Sequence, residues 1–309
     1  IPAVYGNYRY EVKKLEAELG LRIEYVDLQY EVDPNHNTYT SDGYDYFQPF
    51  PNFRLTYNLN DRNKLSAFFN RRVDRPDEVD IRIFPKYDDA EIIKVGNPGL
   101  SPQFTNAIEL GYKNERDQGY YYGAVYHKMS DGTITRIATT DGTSTLIYNI
   151  SQNAGKSYNT GLEIVAAGKL SRRISMNLNL NGYYNQIDRF TVLNQYPVST
   201  LFTAEKQDIF SGSVKLNTAF DFSDTFSMQL TTIYLAPDII PQGKIKERFS
   251  VDVGVKRSVQ KGRGELFANA SDLFNTMIIK KSIEGSTFSY TSSDYYETQV
   301  VRLGYQYKF

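Results

Sequence analysis

Residues 172–185 read RRISMNLNLNGYYN, and the side chains change character at every step. Ile174, Met176, Leu178, Leu180 and Tyr184 share one parity; Arg173, Ser175, Asn177, Asn179, Asn181 and Asn185 share the other. A period of two puts alternate side chains on opposite sides of an extended strand. The pattern recurs at Leu15, Ala17, Leu19, Leu21, Ile23 and Tyr25, at Phe53, Leu55, Tyr57 and Leu59, and at Ile108, Leu110 and Tyr112. It returns at Leu162, Ile164 and Ala166, at Phe210, Val214, Leu216 and Phe220, at Phe226, Met228, Leu230 and Tyr234, and at Phe249, Val251, Val253 and Val255. Many runs last nine or more residues. Strands of globular sheets usually hold about 5–6 residues, whereas a tilted strand crossing a bilayer needs about 9–11. Even EVKKLEAELGLRIEY, rich in helix formers, alternates strictly over 15–25 and reads as strand.

Composition agrees once alternation is taken into account. Mean hydropathy is −0.49, and no stretch reaches the ~20 apolar residues of a transmembrane helix. Strands with one lipid face and one watery face average out to polar, so that value does not imply a soluble protein. The 35 basic and 36 acidic residues leave a net charge of −1, without the basic excess of a nucleic-acid binder. Cysteine is absent, which excludes disulfides, thiolate chemistry and Cys-zinc sites. Tyrosine (26) and phenylalanine (18) are abundant.

The connections are of two kinds. Short polar turns fall at 12–14, 60–63, 115–119, 170–173, 222–225 and 260–264. Long Pro- and Gly-bearing segments fall at about 32–47, 76–101, 187–205, 237–244 and 275–293. Within 129–156, alternation around Asp141 and Gly142 predicts a hairpin reaching past the membrane edge. Short turns on one side and long loops on the other are the plan of outer-membrane barrels. Thirteen strands are expected, at 1–11, 15–31, 48–59, 64–75, 102–114, 119–139, 144–169, 173–187, 206–221, 225–236, 245–258, 264–276 and 294–309. The first and last would run in the same direction, so thirteen strands cannot close an all-antiparallel barrel. The start IPAVYGNYRY has no signal-peptide pattern and already reads as strand, so the chain is expected to be part of a larger barrel. The expected fold is all-β, one transmembrane antiparallel up-and-down barrel domain over 1–309.

The stretch 71–114 carries Arg75-Pro76 after a strand, then Gly96-Asn97-Pro98, Leu100 and Pro102, then a strand with Asn106, Glu109, Gly111 and Tyr112. ANASDLFNT follows at 268–276, and the chain ends RLGYQYKF. In these elements and their order the whole chain resembles the barrel of TonB-dependent receptors, in the large form common among Bacteroidetes. The resemblance implies the C-terminal part of a twenty-two-strand barrel, with a plug and a TonB-engaging box supplied by an N-terminal portion. It implies residence in the outer membrane and energised uptake of a bulky nutrient such as a siderophore, glycan or peptide. The implied partners are outer-membrane lipid, TonB, the barrel-assembly machinery and, as a further candidate, a surface lipoprotein. Val301, Leu303, Tyr305, Tyr307 and Phe309 resemble the C-terminal signal read by that machinery. Two other readings share the alternation: a passive porin-like channel, and a soluble β-rich carbohydrate-binding protein.

The chemical candidates are few. Tyr39, Tyr44, Tyr46, Phe47 and Tyr87 fall in expected loops, where aromatic rings stack on a sugar, siderophore or peptide; packing of the loops on themselves is the competing reading. Arg75-Pro76 and Asn97-Pro98 are read as strand and loop punctuation rather than ligand contacts. Glu78, Asp80, Asp88, Asp89 and Glu91 lack the EF-hand spacing and read as a solvated acidic loop. Asp33 and His36 are too few for a metal site. His127 has neither a nucleophile elbow nor a paired base near it in sequence. No phosphate-cradling loop occurs. Neither a cofactor nor an enzymatic activity is expected.

Overall fold

The computed structural model describes every residue except 34, 36–38, 88–90 and 286, and the side chain of Tyr87. His36, Asp88 and Asp89 therefore lie outside the described residues. One antiparallel sheet of thirteen strands forms a wall in strict chain order. Its strands are β1 (Ala3–Val12), β2 (Leu15–Tyr30), β3 (Asp42–Asn60), β4 (Asn63–Asp74), β5 (Gln103–Arg116), β6 (Gly119–Asp131) and β7 (Ser157–Ser171). β8 (Ile174–Ile187), β9 (Gln207–Ser223), β10 (Phe226–Leu235), β11 (Arg248–Val259), β12 (Gly264–Ser271) and β13 (Val300–Tyr307) complete it. β3 reaches 19 residues, long enough to cross a bilayer and continue beyond it. The six short turns fall at the short polar stretches of three to five residues that predict them.

The two faces separate as the alternation requires. Leu19, Leu21, Ile108, Leu110, Val125, Leu162 and Phe210 are exposed on the outer face. Val301, Leu303, Tyr305, Tyr307 and Phe309 join them, and the ladder with β12 runs to Gly264↔Tyr307. The inner face carries a polar lattice: Asn179 Nδ2 donates to Glu163 Oε1 (2.9 Å), Tyr122 OH to Glu109 Oε1 (2.6 Å) and Tyr126 OH to Asn181 Oδ1 (2.9 Å). Inner-face rings also lie across glycines of the neighbouring strand. A Cβ on Gly111 would meet the Tyr122 hydroxyl at 2.6 Å, and one on Gly304 would meet the Phe267 ring at 2.1 Å. Glycine is needed at both because the ring occupies the space of the missing side chain.

The sheet is open, as expected of thirteen strands: β1 and β13 stand at its ends and do not pair with each other. Two strands running the same way cannot close an antiparallel ladder. Some strand bounds need correction. The strand expected at 119–139 breaks at Gly132, whose φ of +66° turns the chain out of the wall, and that expected at 144–169 is interrupted at 154–156. The strand expected at 264–276 stops at Ser271, before Asp272 at φ +44°, and that expected at 294–309 begins only at Val300. β3 begins at Asp42 rather than 48, so Tyr44, Tyr46 and Phe47 are strand residues.

β3 shows how sequence shapes the wall locally. It pairs with β2 along its full length but with β4 only from Asn52↔Asn70 downward. Pro49 and Pro51 lie just above that point. Since the β2 ladder is continuous, the N–H that each proline lacks is the one that would face β4. Side chains seal the gap instead: Phe104 packs against Tyr46 (5.5 Å between centroids) and Phe50 (6.3 Å), and the Arg71 guanidinium lies over Phe104.

Placing Leu110→Arg at mid-height of the outer face should cost about 2–4 kcal/mol of folding stability in lipid. Asn177→Arg on the inner face should change stability by no more than about 0.5 kcal/mol. Urea unfolding of the full-length protein in phospholipid vesicles distinguishes the two.

Candidate functional site

The most deeply buried side chains lie above the wall. Leu100, Ile137 and Ile150 are fully buried, and all three belong to the long connections. Among the described residues, ten short strands organise these connections into three small sheets; of these only Ile134–Thr139 and Ile147–Asn153 fall wholly within expected strands. In the first, Lys86–Tyr87, Ile92–Val95, Ile147–Asn153 and Ile134–Thr139 lie side by side, with Ile147–Asn153 parallel to Ile92–Val95. The expected hairpin around Asp141 and Gly142 supplies Ile134–Thr139 and Ile147–Asn153, which pair antiparallel. Backbone N–H groups of Thr143 and Ser144 hold the Asp141 carboxyl down at about 2. The second sheet is the hairpin Phe190–Asn194 with Thr200–Ala204. The third orders Asp238–Ile240, Gly243–Ile245, Ile279–Glu284 and Ser289–Asp294.

Amides lock the three sheets together. Gln242 caps the edge strand Ile134–Thr139 at Ala138, accepting from its N–H (2.5 Å) and donating to its carbonyl (2.9 Å). Gln152 donates to Asn194 Oδ1 (2.9 Å) and to Leu193 O (3.1 Å) while accepting from Asn97 Nδ2 (3.1 Å). Asp238 accepts from Tyr183 OH (2.8 Å) and Asn185 Nδ2 (2.7 Å), tying the third sheet to the wall. An apolar cluster of Ile137, Ala154, Ile187, Phe190, Ala204 and Ile239 fills the centre. Two adjoining cavities open between the first and third sheets. One of about 630 Å3 lies between residues 287–294 and the Thr140, Gly142 and Ser144 side. The other, of about 410 Å3, is lined by Lys94, Arg136, Lys281, Asn149, Gln242 and Tyr296 among others.

The aromatic candidates do not converge on these cavities. Tyr39 is buried with Ile93, Val95, Tyr148 and Ile150, and that burial pushes its hydroxyl pKa up. Tyr46 is buried in β3; its hydroxyl donates to Glu24 Oε2 (3.0 Å) and accepts from Arg75 Nε (3.0 Å), while Arg75 also pairs with Glu24. Arg22 Nε sits 3.0 Å from the other Glu24 oxygen, so this buried carboxylate is held by two guanidiniums. Tyr44 stacks on Tyr46 (6.3 Å). Phe47 is exposed on the outer face, the parity of Tyr25, and points away from the cavities. The Lys86–Tyr87 backbone pairs with Ile92–Val95.

The other candidates have structural partners. β4 ends at Asp74, immediately before Arg75-Pro76. Asn97 donates its N–H to Asp80 O (2.7 Å) and its side-chain oxygen accepts from Gly99 N (2.9 Å). Glu78 pairs with Arg82, and Asp80 accepts from Ser151 Oγ (3.1 Å). Asp33 accepts from Asn35 N in a turn (2.8 Å). His127 Nδ1 lies 2.8 Å from Thr160 Oγ1 on the outer face.

The Asp-Leu-Phe-Asn segment forms a tight knot. Asp272 is buried, donates its N–H to Asp252 Oδ1 (2.8 Å), and accepts from Thr276 N (3.0 Å), Met277 N (3.1 Å) and Thr298 Oγ1 (2.7 Å). Burial acts to raise its pKa, but these donors together outweigh it and hold the carboxyl below its ordinary range.

This wall, polar within, apolar without and capped by interlocked loops, matches one family along nearly its whole length. A family model described as "Outer membrane protein beta-barrel family" matches residues 1–307. The chain belongs to this family. It is an outer-membrane protein, and its exposed apolar face is a lipid face, which sets aside the soluble carbohydrate-binding reading. Among solved structures, this barrel protein is similar to the siderophore receptor PirA from Pseudomonas aeruginosa (16% identity, TM-score 0.55, 89% of this chain and 43% of that one). It is also similar to the FrpB iron transporter from Neisseria meningitidis, F3-3 variant (13%, 0.60, 99% and 44%), and to the copper transporter OprC (12%, 0.62, 94% and 45%). The chain thus spans less than half the length of each, and at these identities the likeness is one of fold. A comparison with curated protein sequences found no match.

Gln242→Ala would leave both peptide groups of buried Ala138 without their partner, at about 1–3 kcal/mol each. Hydrogen exchange at 134–139 should accelerate while the wall strands stay protected. Asp272 has a folded pKa below its unfolded value, so its carboxylate stabilises the knot above the unfolded value of about 3.9 and loses that effect as pH falls through the folded value. Exchange protection of the Thr276 and Met277 amides, corrected for intrinsic rates, should hold from pH 8 to 5 and vanish only below about pH 4.

Proposed function

We propose that this chain is the C-terminal part of the barrel of a TonB-dependent receptor, of the large twenty-two-strand type common among Bacteroidetes. The observation that carries the reading is an open sheet of thirteen strands that overlays transporter barrels while covering under half their length. Nine further strands would make the total even, as antiparallel closure requires. The whole protein then imports a bulky nutrient with energy delivered through TonB to an N-terminal plug. In this segment the wall seals against lipid, the polar lattice of Glu109, Tyr122, Tyr126, Glu163, Asn179 and Asn181 faces the interior, and the interlocked loops hold the capture surface on the cell exterior. Val301, Leu303, Tyr305, Tyr307 and Phe309 serve as the recognition strand for the barrel-assembly machinery. A surface lipoprotein covering the loops is compatible with this arrangement.

The test is uptake in isogenic cells with and without the gene, each with and without TonB. Ferric chelates, oligosaccharides and peptides are supplied in turn as sole iron or carbon source. The expected result is one nutrient class whose uptake needs both the gene and TonB. Gene-dependent uptake that persists without TonB would instead identify a passive channel.

A further inference from the structure

Near the short turns, the lipid face of the wall has a dent. Leu110, Val125 and Leu162 are exposed on that face, so Arg116 at the end of β5, Gly119 on β6 and Gly168 on β7 share it by parity. The register sets these three and Met176 of β8 in one row: Arg116↔Gly119, Gly119↔Gly168 and Gly168↔Met176. In the row above, Tyr121 stands beside Ala166. β6 and β7 approach closely at the two glycines. A Cβ on Gly119 would meet Ala167 O at 2.1 Å, and one on Gly168 would meet Gln118 O at 2.6 Å. Two neighbouring positions of the lipid face therefore carry no side chain. They leave a cavity of about 170 Å3, lined by Arg116, Tyr121, Ala166, Leu170 and Met176 among others.

One rim of this dent is charged. Arg116 Nε donates to Asn114 Oδ1 (2.9 Å), and the guanidinium lies 5.9 Å from the centroid of the Tyr121 ring. Among the described residues no acid pairs with Arg116. The two acids beside it in sequence are taken: Asp117 pairs with Arg62 (2.7 Å), and Glu115 with Lys113 (2.8 Å) and Lys64 (3.6 Å). Lys169 and Arg172, at the adjoining turn, also form no ion pair among the described residues. The next acids along this border, Asp221 and Asp224, belong to the following turn.

Short turns of outer-membrane barrels lie on the periplasmic side, where the leaflet consists of glycerophospholipids. A guanidinium fork fits phosphate oxygens two at a time. The side-chain-free floor between Tyr121 and Met176 gives an acyl chain apolar surface to lie against. The surplus of cations at the two turns favours a lipid with net negative charge over one whose phosphate is neutralised by an amine. Diffuse attraction to the turns would use the charge but not the paired glycines.

We propose that this dent binds one anionic glycerophospholipid of the periplasmic leaflet, its phosphate on Arg116 and an acyl chain across Gly119 and Gly168. The inference rests on membership of the outer-membrane barrel family and is independent of the receptor reading.

The experiment uses the full-length gene product in phosphatidylethanolamine vesicles. Trace phosphatidylglycerol or phosphatidylethanolamine, each with the same diazirine-bearing acyl chain, is photolysed and the labelled peptides are mapped by mass spectrometry. Labelling at 116–121 and 166–176 is read relative to 249–255 on β11, a lipid-facing stretch away from the dent. In the wild type the phosphatidylglycerol probe should label the dent about fivefold more than the phosphatidylethanolamine probe, the worth of about one cation at a membrane surface. Arg116→Gln should bring that ratio to within about twofold of one. Ala166→Leu fills the dent with apolar bulk and should lower phosphatidylglycerol labelling there about fourfold, the contact of one methylene. Lys261→Gln removes a cation from a turn four strands away, about 20 Å at the usual strand spacing and beyond the screening length. It should leave the ratio within about twofold of wild type. Equal labelling by the two probes in the wild type overturns the proposal. So does an unchanged ratio in Arg116→Gln, or a loss in Lys261→Gln equal to that in Arg116→Gln. If Arg116→Gln fails to assemble, Ala166→Leu decides, because unchanged labelling in that variant also overturns the proposal.

Discussion

A backbone crossing hydrocarbon must satisfy its hydrogen bonds within the protein, because lipid offers no partner. In this wall every strand except the two at the ends is bonded on both sides. That ladder sets the two-residue period, and the period assigns each side chain to lipid or to the interior. The outer face therefore needs apolar bulk without close packing, and Leu19, Leu110 and Val125 sit about half exposed. The inner face needs polar side chains that satisfy one another, which the Glu109–Tyr122 and Glu163–Asn179 contacts achieve.

A wall of this kind has little core beyond the cluster of Val26, Tyr46 and Phe50, so most close packing moves to the connections. Ile137, Ile150 and Leu100 are more deeply buried than the apolar residues of the membrane strands. Buried loop backbone must also be satisfied, and side-chain amides supply what regular ladders do not. Gln242 acts on Ala138 much as another strand would, while Gln152 joins two sheets through Asn97 and Asn194. Loops fixed in this way present a shaped surface, which suits capture of a ligand better than mobile segments do.

The wall was legible because its signal is local. Alternation reports on the residue two positions away, and the thirteen strands fall close to where it places them. Their ends were less legible. Gly132 and Asp272 leave the wall through positive φ, a backbone property that alternation does not encode. Apart from the hairpin around Asp141 and Gly142, the small loop sheets were hidden for another reason: their strands run from two to seven residues, and many of their partners are distant. Ile92–Val95 pairs in parallel with Ile147–Asn153, and Gln242 meets Ala138 across 104 positions. Tyr44, Tyr46 and Phe47 fall in the expected loop at about 32–47, yet β3 reaches up to Asp42, past Pro49 and Pro51. Those prolines mark the point where one of two ladders ends.

The same rule connects that seam with the strand Ser289–Asp294, which among the described residues pairs on one side only, with Ile279–Glu284. A strand keeps an unpaired side only where something removes the need for a partner. At β3, two prolines each delete a donor, the Tyr46, Phe50 and Phe104 rings fill the space and Arg71 bonds Gln48 across it, so the gap is closed by side chains. At Ser289–Asp294 no proline intervenes, the outward N–H groups remain, and a polar cavity lies against them. One edge is blunted as natural edges generally are; the other keeps its donors and acceptors and has room beside them.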